Sequence, residues 1–306
     1  MKRSRLRGGY VFALVFAVLA AAPAAHARNV NAPADNVIAV HGLDAFTSHK
    51  DDINWVRNSY FTNHSLAQMC GNGVRCAEAA VFAYDGKNKG WDDHDFDSPG
   101  CYLARKARDI PGINIAVIGH SMGGLAAVHM IKDVATGFSG GWSCGIDTPS
   151  AASWILNIHT IGSPFEGSGV ADVVFNRFSC LTCLAIPIPT FWAGTRSVNS
   201  VRTGVAGAKF DTWLANTGSW PVFTSWGTAP GVLAPLAVCG CLANPSDGVV
   251  SQASATASHH GKPSSWHLGI SKAVNHTQEP DGNARACGSF SCNTTTAQDI
   301  WHHDPY

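Results

Sequence analysis

Residues 112–141 read GINIAVIGHSMGGLAAVHMIKDVATGFSGG, and the pattern Gly-x-Ser-x-Gly occurs in them twice, around Ser121 and again around Ser139. Context separates the two. Ile113 to Ile118 is an apolar, β-branched run of the kind that forms a buried central strand, and it leads straight into Gly119. Leu125 to Val134 has helical spacing, so Ser121 stands at a strand-turn-helix junction, the setting that forces a side chain out at a tight elbow. Gly119 and Gly123 are expected to let the backbone turn there without Cβ clashes. Ser139 follows the end of that helix among Gly137, Gly140 and Gly141 with no strand before it, and is read as a loop serine.

Outward from the elbow, strands and helices alternate. Asn36 to Val40 reads as a strand ending at His41-Gly42, Ser48 to Tyr60 as helical, Ala79 to Tyr84 as a strand, Pro99 to Ile110 as a helix and Trp154 to Ile161 as a strand. This is the pattern of an α/β fold with a mostly parallel central sheet flanked by helices. From about 165 to 233 the text changes, with Pro187, Pro189, Pro221 and Pro230 breaking it and Phe175, Phe178, Phe191, Trp192, Trp213, Trp220, Phe223 and Trp226 filling it. That segment is expected to be an aromatic-rich cap inserted on the sheet, with alternation resuming around Val232 to Val238. Residues 28–306 are read as one domain, without internal repeats or a low-complexity linker.

A serine hydroxyl is a weak nucleophile until an imidazole takes its proton, and the imidazole needs a carboxylate to fix its tautomer and stabilise its charged form. Asp247, in NPSDGVV, is the candidate acid, although Asp-Gly alone also signals a simple turn. His276, in SKAVNHTQEP, is the candidate base; His267 and the pairs His259-His260 and His302-His303 stay open as rivals among the 14 histidines. The oxyanion formed on attack needs backbone N–H groups placed in advance. Met122, the residue after the serine, and Leu43, beside Gly42 at the end of the first strand, are the expected donors.

Composition bears on compartment and partners. Met1 to Ala27 carries Lys2, Arg3, Arg5 and Arg7, an apolar run from Tyr10 to Ala22 and then Ala25-His26-Ala27, the arrangement of a cleaved export signal. It holds four of the 21 basic residues and none of the 21 acidic ones, so the rest of the chain carries 17 against 21. That net acidity argues against a nucleic-acid partner. All ten cysteines lie after the signal, an even number expected to form disulfides in an exported protein, with Cys70/Cys76 and Cys287/Cys292 as local pairs and Cys180-x-x-Cys183 a weak metal or redox motif. Asp93, Asp95 and Asp97 in WDDHDFDSPG alternate as calcium ligands do but lack the glycine and distal glutamate of an EF-hand, so a solvated acidic loop is favoured. Asn275-His276-Thr277 also fits a glycosylation site, which excludes His276 from catalysis if used.

Taken together, VHGL at 40–43, GHSMGG at 119–124, TIGSPFEGS at 160–168, SDGVV at 246–250 and Asn275-His276 resemble the secreted bacterial lipases of the α/β-hydrolase superfamily. The resemblance covers about 36–280. It implies Ser121 as nucleophile, Asp247 as acid, His276 as base, Leu43 and Met122 as oxyanion donors, and no cofactor. Many of these lipases hold calcium through an aspartate two residues beyond the histidine; Gln278 stands there, so no metal is expected. The implied function is a secreted serine ester hydrolase acting on acylglycerols, with transient contact to a lipid interface. The alternatives on the same machinery are a short-chain carboxylesterase, a polyester depolymerase or an acyltransferase, and, in a different class, a non-catalytic binding protein.

Overall fold

The computed structural model describes residues 36–44, 48–61, 81–109, 115–136, 155–175, 195–214, 220–229, 243, 245–259, 262, 265–273, 275–280, 286–287 and 292–293. The expected signal segment, Ser139, Cys180-x-x-Cys183 and the strand expected at 232–238 lie outside them, so those readings stay expectations.

β1 (Asn36–Val40) and β3 (Ile115–His120) pair in parallel at the centre of the sheet, with Val40 opposite Gly119. β2 (Val81–Phe82) flanks β1, while β4 (Ile155–Ile161), β5 (Val222–Gly227) and β6 (Trp266–Lys272) extend the sheet beyond β3. The order is β2-β1-β3-β4-β5-β6 and every pairing is parallel. β3 and β5 are buried along their whole length, as expected of parallel strands covered on both faces. Because the chain steps outward from β1 in one direction to β2 and in the other through β3 to β6, the sheet has a switch point between β1 and β3. A crevice opens outside the carboxyl ends of the strands at such a point.

α1 (Ile53–Trp55) runs into a single π-helical turn, Val56–Tyr60, so only the second half of the segment expected as helix is helical. Asp52 caps it, its side chain accepting from the Trp55 N–H. α2 (Pro99–Asp109) and α3 (Met122–Thr136) match the helices expected around them. Leu103, Ala104 and Ala107 of α2 and Leu125, Ala126, Val128 and Ile131 of α3 bury their apolar stripes in one core with Ile38, Val40, Ile115 and Val117.

The expected cap needs correction. Within 165–233, Val222–Gly227 is β5, a strand of the central sheet between β4 and β6. α4 (Gly169–Phe175), α5 (Arg196–Ser200) and α6 (Thr203–Leu214) pack on one another, and Val170, Val174, Val198, Ala206 and Phe210 join the main core. Phe165, Phe210 of α6 and Trp266 of β6 meet as rings 4.8 to 5.4 Å apart. Of the aromatics that suggested an inserted cap, Phe223 and Trp226 stand in buried β5 and Phe175 and Trp220 pack against the main core. The run CLTCLAIPIPTFWAG lies outside the described residues. α7 (Gln252–Ala255) follows the Asp247 loop, and β7 (Ala286–Cys287) pairs antiparallel with β8 (Cys292–Asn293). No helix among the described residues is long and apolar enough to cross a membrane.

Candidate active site

β3 ends at His120, and the chain turns into α3 through Ser121, whose φ is +56°. A left-handed backbone is costly for a residue with a Cβ, roughly 1 to 3 kcal/mol, and persists only where surrounding contacts over-determine it. Here the Ser121 N–H donates to the Ile161 carbonyl at 2.9 Å, and the Ser121 carbonyl accepts from Gly124 at 3.1 Å. Gly119 and Gly123 are not among the positive-φ residues. Their role is room: a Cβ on Gly123 would lie 2.4 Å from the His41 carbonyl oxygen and 2.5 Å from that of Val40. The serine takes the strain and the glycine lets α3 pass against the end of β1.

The segment after β6 and the turn before Gln252–Ala255 converge on Ser121. His276, four residues after β6, places Nε2 2.9 Å from Ser121 Oγ. Its Nδ1 lies 2.7 Å from Asp247 Oδ2. Oδ1 of Asp247 accepts from the Val249 and Val250 N–H groups at 2.8 and 2.7 Å, the turn that Asp-Gly signals in sequence, with Gly248 at φ +97°. Turn and site are the same residue here. The His276 N–H also donates to the Asp247 carbonyl at 2.9 Å, so the two loops are clasped backbone to backbone. Asn275 Oδ1 accepts from the Thr277 and Gln278 N–H groups at 3.1 Å and caps the turn that carries His276.

The fourth group is Glu279, which the sequence reading missed. It is fully buried three residues after His276. One oxygen accepts from the Gly227 N–H at 2.7 Å, and the other lies 3.0 Å from His120 Nε2 and 3.3 Å from His276 Nδ1. Gly162 leaves the space: a Cβ there would fall 2.0 Å from the carboxylate. The signal available in the chain was a lone acid following the candidate base, which has no meaning until burial is known. His120, Glu279 and His276 also form the one cluster among the described residues whose ligand atoms could surround a metal ion. The His276 nitrogen that faces Glu279 is Nδ1, which already lies 2.7 Å from Asp247 Oδ2, so the donor set fits a proton-handling site better than a closed metal site.

Burial pulls the His276 pKa down, but Asp247 and Glu279 outweigh it and raise it to about 10. Burial likewise lifts the Asp247 carboxyl, partly offset by His276 and the Val250 N–H. Burial, reinforced by neighbouring His276, holds His120 well below the usual imidazole range, so His120 is neutral.

The expected oxyanion donors flank the serine. Gly42 abuts it so closely that a Cβ there would lie 2.6 Å from Ser121 Cβ, which brings the Leu43 loop alongside. Met122 opens α3, where N–H groups point out of the helix. Neither Leu43 nor Met122 N–H has a hydrogen-bond partner among the described residues. Of the rival histidines, exposed His267 stacks on Phe223 within the sheet, and His259 pairs with Glu166. His260, His302 and His303 lie outside the described residues. The acidic loop is cross-tied by cations: Asp92 pairs with Lys209, Asp93 with Arg196, Asp95 with Lys89 and Asp97 with Lys50.

Comparison with protein-family models and with curated proteins finds no match. Among solved structures the chain is similar to the mature form of the lipase BlEst2 of Bacillus licheniformis, with a TM-score of 0.54 at 19% identity over 80% of this chain and 85% of that one. EstA of Clostridium botulinum gives 0.54 at 14% identity over 83% and 85%. Lipase 1 of Pelosinus fermentans gives 0.52 at 12% identity over 88% and 97%. At such identities the likeness establishes a common fold.

Proposed function

We propose that this chain, an α/β-hydrolase in fold, is a serine hydrolase that cleaves carboxylic esters, acylglycerols among them, through an acyl-enzyme. The observation that carries the reading is the unbroken chain from Ser121 Oγ through His276 to Asp247, set on a strained elbow at the switch point of a parallel sheet. Ser121 Oγ attacks the ester carbonyl carbon while His276 Nε2 takes its proton. The carbonyl π bond opens onto an oxyanion that faces the Leu43 and Met122 N–H groups, each such donor being worth roughly 3 to 4 kcal/mol in the transition state. Collapse expels the alcohol with the proton from His276, and water repeats the sequence to release the acid. Two of the similar structures are lipases, which favours a lipid ester as substrate.

Export belongs to the same proposal. It rests on the Met1 to Ala27 segment and the ten cysteines, and it is supported by the disulfide that Cys101 makes and by Cys287 standing directly opposite Cys292 across β7 and β8.

The test is a series of p-nitrophenyl esters from acetate to long acyl chains, run beside emulsified triglyceride and an organophosphonate label. Label on Ser121, a loss of several orders of magnitude in turnover for Ser121→Ala, and preference for medium or longer chains are expected. Label elsewhere overturns the nucleophile. Fastest turnover on acetate with none on triglyceride leaves a short-chain carboxylesterase.

A further inference from the structure

Tyr60 sits at the end of the π-helical turn, far in sequence from any of the residues so far assigned to chemistry, yet its hydroxyl touches two of the site's walls. It accepts the Gly42 N–H at 2.7 Å and lies 2.6 Å from His120 Nδ1. The chemistry of the partners fixes the direction of every bond. An amide N–H only donates, so the tyrosine oxygen receives it and its own proton goes to Nδ1 of His120. Neutral His120 then carries its proton on Nε2, which donates to Glu279 Oε2 at 3.0 Å. Among the described residues Glu279 meets donors only: His120, the Gly227 N–H and His276 Nδ1. The bonds therefore run one way from the loop expected to hold the oxyanion as far as Glu279, into which the base also donates from its face opposite Ser121.

We propose that Tyr60, His120 and Glu279 act as one positioning relay that registers the oxyanion loop against the catalytic base. The proposal rests on the ester-hydrolase reading above. The relay explains why Gly42 must lack a side chain, since a Cβ would lie 2.6 Å from the Tyr60 oxygen as well as from Ser121. It also gives a role to the second buried carboxylate beside a His276 that Asp247 already orients. Among the described residues the groups that face His276 are Asp247 from the turn before α7, Glu279 from its own turn, and His120 and Ser121 from the end of β3; the His120 and His276 rings are 4.6 Å apart. Burial raises the Tyr60 hydroxyl far above its usual range, so it stays protonated and keeps the donor that the relay needs.

Tyr60→Phe keeps the ring and removes the link. In the full-length chain, kcat and KM for one p-nitrophenyl ester are measured across pH for wild type, Tyr60→Phe, Glu279→Gln and the double variant, with Ser121→Ala as control. Tyr60→Phe should lower kcat by about 10- to 100-fold through a misplaced oxyanion loop while leaving KM within about threefold. Glu279→Gln should move the acid limb of the pH profile about one unit lower, because one of the two carboxylates favouring the imidazolium is gone. The double variant should be less impaired than the product of the two single losses, since either change breaks the same relay. Multiplying losses, or a Tyr60→Phe defect confined to KM or to the thermal midpoint, overturn the relay. If Glu279→Gln does not fold, His120→Gln replaces it in the cycle with the same criterion. A fully active Ser121→Ala sinks the ester-hydrolase reading instead, which keeps the two failures distinct.

Discussion

Ser121 and His276 each carry a cost that makes sense only in relation to the other. The serine holds a left-handed backbone so that Oγ projects toward Nε2, and the histidine is buried between two carboxylates. A base whose pKa is raised to about 10 must lose a proton before it can accept one from the serine. The expected outcome is a kcat/KM profile whose acid limb lies well above the 6.5 of an ordinary imidazole, rising through the alkaline range; a limb at or below 6.5 contradicts it. Stability should move oppositely. Protonated His276 stabilises the fold below pH 6.5, and the contribution fades as pH climbs toward 10, so thermal midpoints should fall over that interval in wild type and less in His276→Gln. At this scale Ser121 and Asp247 were legible because each sits in a short motif whose local geometry the neighbouring residues dictate, whereas His276 stood among rival histidines that only its place beside Ser121 separates. Glu279 and Tyr60 were not, because nothing adjacent to either in the chain distinguishes it from a surface residue.

The elements differ in how tightly they are held. α3 passes so close to β1 that Gly123→Ala would set a methyl 2.4 Å from backbone, which neither strand nor helix can yield without moving the elbow. That variant should lose folded protein or activity outright. Gly204, exposed near the start of α6, has open space where a methyl would stand, with nothing within 4 Å, and its φ is not left-handed. Gly204→Ala should therefore raise the thermal midpoint, by up to about 1 kcal/mol of stability from helix propensity alone. A lowered midpoint would mean that α6 is not helical there in solution. The first strands and helices around the elbow were readable because their apolar runs are bounded by turn residues. β5 (VFTSWG) was absorbed into the aromatic stretch before it, and β6 (WHLGISK) shows exposed His267 and Leu268 on an edge strand, so neither presents the continuous apolar run of a central strand.

For the molecule as a whole, cross-links are expected to matter. If the ten cysteines are paired, reduction of the native protein should lower its stability by about 2 to 4 kcal/mol for each bridge lost, read as a drop in thermal midpoint. Ten free thiols in exported, native material would contradict both the pairing and the compartment. The sequence by itself determined the fold class, the elbow at Ser121, the turn at Asp247 and the order of serine, acid and histidine, because these depend on residues close together in the chain. Tertiary structure alone decided which histidine meets the serine across 155 positions, that Glu279 joins it, that Tyr60 reaches Gly42, and that 222–227 is sheet and not cap. Those outcomes depend on where separate strand ends are brought by the order and twist of the sheet, and on burial that turns a polar side chain into a strong partner; neither is written in any local stretch of sequence.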